Sequence, residues 1–143
     1  MFMKKVVLFS ILFLLLLDIN AQSKDEVAIR NVLSTQLNAW NNGNIEDFMN
    51  GYWESDSLMF IGKSGITYGW KKTLENYKRG YSDTVTMGKL TFDILQVKRL
   101  SAIYFFIVGK WNLKRSIGDE GGHFTLMFRK VKNKWVIVAD HTS

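Results

Sequence analysis

Residues 121–143, GGHFTLMFRKVKNKWVIVADHTS, leave this chain few ways to fold. Two runs of alternating apolar and polar residues flank the polar pair Lys132-Asn133, and a period of two is the mark of a half-buried strand. If that pair is a two-residue hairpin loop the register is fixed: Phe128 opposes Ile137, Leu126 opposes Ala139 and Phe124 opposes His141. One face then carries Phe124, Leu126, Phe128, Trp135, Ile137, Ala139 and His141. The other carries His123, Thr125, Met127, Arg129, Val136, Val138, Asp140 and Thr142. The first set is the apolar one and is expected to face the core, with His141 at its open end.

Two more strand-like runs precede the hairpin, at 89–98 and 102–115. In the second, Ile103, Phe105, Ile107, Gly109, Trp111 and Leu113 are apolar throughout and are assigned to the core face. Tyr104, Phe106 and Val108 make the opposite face apolar as well. No helix is left to cover it, so a second copy of the chain is the simplest cover, and a homodimer through this face is expected.

The first half of the mature chain has helical spacing. Ser23 and Glu26 have the form of a capping box, and Val27, Ile29, Val32, Leu33, Leu37 and Trp40 follow mainly three or four apart. Asn41-Asn42-Gly43 should reverse the chain and Asn44 should cap a short second helix carrying Ile45, Phe48 and Met49. Residues 58–61 read as a short buried strand, 62–65 as a turn and 66–68 as an extended piece. Trp70, Leu74, Tyr77 and Tyr81 mark a third helix. Helices followed by successive strands imply an α+β fold: a cone-shaped, curved antiparallel or mixed β-sheet with three N-terminal helices on its concave face.

Composition narrows the chemistry. There is no cysteine, which excludes disulfides, thiolate metal sites and thiol nucleophiles. The formal charge of +6 is spread over single or paired lysines and arginines rather than a dense basic run, so nucleic-acid binding is not expected. Residues 1–21 have Lys4-Lys5, a nearly unbroken apolar run at 6–17 and Ala21 at the end, the pattern of a signal peptide. The apolar run is shorter than the ~20 residues a bilayer-spanning helix needs. Cleavage after Ala21 would leave one domain, 22–143, secreted or periplasmic in a bacterium and without a membrane anchor.

Three stretches carry a family resemblance. Residues 37–44, LNAWNNGN, resemble an AxxxGD helix hairpin with Asn44 in place of the Asp. Residues 65–70, GITYGW, resemble a GxxxG lead into the third helix, and residues 134–143, KWVIVADHTS, a characteristic closing strand. In this order they resemble the nuclear transport factor 2-like superfamily, whose α+β cone is shared by ketosteroid isomerase, scytalone dehydratase and SnoaL-like proteins. The ending resembles that of SnoaL-like domains of unknown function of the 4440 type. The resemblance implies the fold; it does not carry over an activity. The places of the isomerase's tyrosine, general base and oxyanion-hole acid fall at Gln36, Ile61 and Leu126, and the Asp–His pair of scytalone dehydratase-like chemistry would need Asp140 and His141 on one face, which adjacent strand residues cannot share.

The remaining candidates are individual side chains. His141 could act as a general base near neutral pH, or be a hydrogen-bonded core histidine. Gln36, Tyr52 and Asp56 are candidate polar groups around the same mouth; Trp40, Trp53, Met59, Trp70, Phe92, Trp111 and Phe124 could line an apolar pocket or simply fill the cone. His123 with Asp140 is too small a set for a metal site, and no metal or cofactor is expected. Three functions stay open: a module binding a small apolar ligand or a partner, a cofactor-free lyase, isomerase or cyclase using His141, and a filled cone whose work is association.

Overall fold

A computed structural model describes residues 24–143; the leader expected at 1–21 and the capping Ser23 lie outside them. Helix α1 covers residues 24–41. It buries Ile29, Leu33, Gln36 and Trp40, a stripe at helical spacing, and leaves the Arg30–Glu26 pair on its outer face. The N-terminal end is tied to the sheet by Asp25, whose Oδ1 accepts from Trp135 Nε1 at 3.0 Å and Lys130 Nζ at 3.2 Å. Gly43, at φ +75°, takes the left-handed turn after α1 that a side chain would strain. Asn44 then caps α2 (Ile45–Met49) by accepting from the Asp47 N–H.

Strands β1 (Met59–Gly62) and β2 (Gly65–Tyr68) form a hairpin that leads into α3 (Trp70–Gly80). A further one-turn helix, α4 (Thr84–Met87), follows, started by Asp83 through a reciprocal pair of hydrogen bonds with Thr86. It is an addition to the three helices expected. Strands β3 (Lys89–Arg99), β4 (Tyr104–Lys114), β5 (Glu120–Val131) and β6 (Lys134–Thr142) complete a six-stranded sheet in the order β2-β1-β6-β5-β4-β3. The sheet is mixed because β1 runs parallel to β6 while the other neighbours are antiparallel. Ile103 falls before β4 and is exposed, whereas Phe105, Ile107 and Leu113 are buried as a core face requires. No helix among the described residues is long and apolar enough to cross a membrane.

The last hairpin turns at Lys132 and Asn133, both at positive φ, as a two-residue primed turn demands. Phe128 opposes Ile137 as the turn predicts. Beyond it the register slips: Met127 pairs with Ala139, Leu126 with Asp140 and Phe124 with Thr142, leaving Val138 as an extra residue in β6. One bulged residue reverses the facing of everything after it. The expected pairings of Leu126 with Ala139 and Phe124 with His141 therefore fail, and Asp140 turns inward while His141 turns out and is exposed. A second slip at Leu95 bends β3 in the same way.

Candidate functional site

Between the helices and the concave face of the sheet lies a cavity of about 370 Å³. Its walls are aromatic. Trp40 from α1, Phe48 from α2, and Tyr77 and Tyr81 from α3 pack edge to face, with ring centroids 4.9 to 5.9 Å apart for Trp40 with Phe48, Tyr77 and Tyr81. Phe92, Trp111 and Phe124 form the sheet side. Phe124 lies directly over Gly109 of β4, where a Cβ would come within 2.4 Å of the ring. A glycine there lets the ring lie flat against the strand.

Among the described residues, Asp140 is the one carboxylate lining this cavity, and only 4% of it is exposed. The Tyr52 hydroxyl donates to Oδ2 at 2.7 Å and the Thr142 hydroxyl donates to Oδ1 at 2.6 Å. The Tyr77 hydroxyl lies 3.5 Å from that of Tyr52, long for a hydrogen bond. Tyr52 is placed by a backbone bridge to Ile137 beside β6, and Thr142 shares the inward face of β6 with Asp140, two residues on. Burial pushes the Asp140 carboxyl up to about 6, against the opposing pull of the Thr142 and Tyr52 hydrogen bonds and of His141. Burial and the charge of Asp140 hold the Tyr52 and Tyr77 phenols well above their ordinary range, so both remain donors.

Among the anticipated residues, Gln36, Trp40, Tyr52, Phe92, Trp111 and Phe124 line the cavity. Gln36 is buried and donates to the Phe48 carbonyl at 3.1 Å, which gives its amide a structural tie. Trp53, Asp56, Met59 and Trp70 lie elsewhere. Trp53 stacks on Arg129 of the outer sheet face, Asp56 is exposed beside Gly69, and Met59 alternates outward from Phe60, which lines the cavity in its place. Trp70 donates to the Met49 carbonyl at 2.9 Å and joins α3 to α2. His141 is not in the interior, because the Val138 bulge exchanges its place with that of Asp140. Tyr77 and Tyr81 were visible as a helical stripe but not as cavity wall. Asp140 was hidden by a bulge that no residue type announces.

No family model and no curated protein matches the chain. Similar solved structures do. A domain of unknown function with a cystatin-like fold from Nostoc punctiforme superposes with a TM-score of 0.70 at 18% identity, covering 84% of this chain and 76% of that one. A ketosteroid isomerase-like protein from Erwinia carotovora atroseptica gives 0.62 at 18% identity, covering 82% and 93%. At this identity both show a shared fold only. An NTF-2 like protein of unknown function from Shewanella oneidensis is 39% identical, with a TM-score of 0.80 over 83% of this chain and 98% of that one. That degree of identity over nearly the whole of the relative, joined to the mixed six-stranded cone, makes this chain a member of the NTF2-like family.

Proposed function

We propose that the domain binds a small, largely apolar ligand inside the cone, with a hydrogen-bonding group of that ligand directed at Asp140. One observation carries this: a carboxyl group is buried among aromatic rings yet lines open space, held by two hydroxyls. A packed core gains nothing from such a group, because desolvating it is unfavourable. The cavity's 370 Å³ lies at the lower end of the roughly 300–1,000 Å³ of small-molecule sites, and speaks against a filled cone that serves association alone. Native mass spectrometry of protein from its own host should reveal a small molecule released on denaturation, with much lower occupancy in Asp140→Asn. Empty wild-type protein, or equal occupancy in the variant, counts against the proposal.

The proton affinity of Asp140 supports a second reading, a cofactor-free lyase, isomerase or cyclase. A carboxyl that titrates near 6 can take and return a proton close to neutrality, in the role first considered for His141. Turnover would then show a limb near pH 6, and Asp140→Asn would abolish turnover more than binding.

Two further parts of the proposal concern assembly and compartment. A homodimer through the face bearing Tyr104, Phe106 and Val108 is supported by their partial exposure and by the adjacent Arg129, whose buried Nε has no acceptor among the described residues. Phe106→Asp should shift the sedimentation of a dimer to that of a monomer. Export is supported by the Lys4-Lys5, apolar and Ala21 pattern of the leader. Protein from the native host should begin at Gln22; a chain beginning at Met1 overturns this part.

A further inference from the structure

We propose that the ligand is an amphipathic acid, an apolar ring or chain carrying a carboxylate that pairs with Arg79 at the mouth of the cavity. This rests on the ligand-binding reading above and adds to it the ligand's chemical class and its direction of entry.

Most residues lining the cavity are buried or half-buried, but Ser64, Gly65 and Arg79 are exposed, and they mark the mouth. Arg79 stands in the last turn of α3, where it is steered by a neutral amide. Its NH2 donates to Asn76 Oδ1 at 2.7 Å, and Asn76 Nδ2 in turn donates to Thr67 Oγ1 at 3.3 Å on β2. Every ion pair among the described residues goes elsewhere: Glu26 takes Arg30, Glu46 takes Lys78, Glu75 takes Lys72, Glu120 takes Arg115 and Asp25 takes Lys130. Arg79 thus spends one of the five N–H donors of its fork on an amide and has no carboxylate partner among the described residues. A planar guanidinium matches a carboxylate in two-point geometry, and the half-exposed mouth spares such a group the cost of full desolvation.

The two ends of the cavity differ in sign. Asp140, lining the buried part, repels an anion and accepts from a donor, whereas Arg79 attracts an anion. An acid therefore enters with its apolar or hydroxyl-bearing end first, and leaves its carboxylate at the rim beside the Ser64 and Thr67 hydroxyls.

The test compares 4-(4-hydroxyphenyl)butanoate with its primary amide, together with shorter and longer members of the same series. Binding to the full chain is followed by calorimetry and by the indole N–H resonances of Trp40 and Trp111, which report occupancy of the cavity. Wild type should bind the acid about three- to fivefold more tightly than the amide at low salt, with the difference shrinking as salt rises. Arg79→Gln, at an exposed position, should lose this preference, so that acid and amide bind alike. Equal binding of acid and amide to wild type overturns the inference and leaves the ligand-binding reading standing, as does an unchanged preference in Arg79→Gln. Binding of neither probe across the series overturns both.

Discussion

The Tyr52 hydroxyl lies 2.7 Å from Oδ2 of Asp140, although 88 residues separate the two in the chain. Tyr52→Phe removes a donor to the charged form of a buried carboxylate. The Asp140 carboxyl should then titrate higher still, and the protein should lose about 1–3 kcal/mol of stability at pH 8, where the carboxylate is charged. Urea unfolding at pH 8 measures the loss; carboxyl-carbon NMR titration of Asp140 measures the shift. A titration that moves down, or a variant as stable as wild type, contradicts the role assigned to Tyr52.

The pH dependence of stability has a definite sign. The folded protein holds the Asp140 proton up to about 6, above the ordinary 3.8, so between these values the native state binds more protons than the unfolded one. The contribution of Asp140 is complete below 3.8 and is lost as pH rises through 6, a change on the order of 3 kcal/mol. Asp140→Asn should remove this decline. Urea midpoints of both proteins from pH 4 to 7 check it, and parallel curves would show that Asp140 is not the titrating group.

His141→Gln should leave ligand occupancy unchanged and stability within about 0.5 kcal/mol of wild type, because the side chain is exposed on the outer face. The histidine's charge favours ionised Asp140, so the variant should raise the Asp140 titration slightly. A loss of binding comparable to that of Asp140→Asn would restore His141 to the site.

Gly109→Ala places a methyl group 2.4 Å from Phe124 Cζ. The ring must swing off the strand and into the cavity. The expected cost is about 1–3 kcal/mol, with ligand affinity reduced as the space is filled. Thermal unfolding and calorimetry measure the two effects, and a variant that matches wild type in both would show that Phe124 moves freely.

Much of this architecture was legible in residue order because local rules decide it. The α1 stripe, the Gly43 reversal, the Asn44 cap and the Lys132-Asn133 turn each depend on neighbours a few positions away. The core face of β4 followed from alternation. Helix α4 escaped because four residues are too few for a period to show, although Asp83 and Thr86 had capping-box spacing. His141 was misplaced for one reason. Alternation carried Trp135 and Ile137 correctly inward and then, through the unpaired Val138, carried His141 with them in place of Asp140. Whether a strand bulges depends on what packs against it, and the partners of Asp140 are Tyr52 far upstream and Thr142 just beyond.

The parallel pairing of β1 with β6 bears on the order in which the molecule is assembled. Met59 hydrogen-bonds alongside Ala139, and Phe60 alongside Asp140, so a strand from the first half of the chain must wait for the last strand to exist. Closing so long a loop is slow compared with forming the β3–β6 meander or the α1–α2 hairpin. During synthesis, the β1–β2 hairpin and α3 therefore have no edge of β6 to join until Lys134–Thr142 emerge. The cavity wall is incomplete until β6 takes its place beside β1, and Asp140 arrives on that same strand.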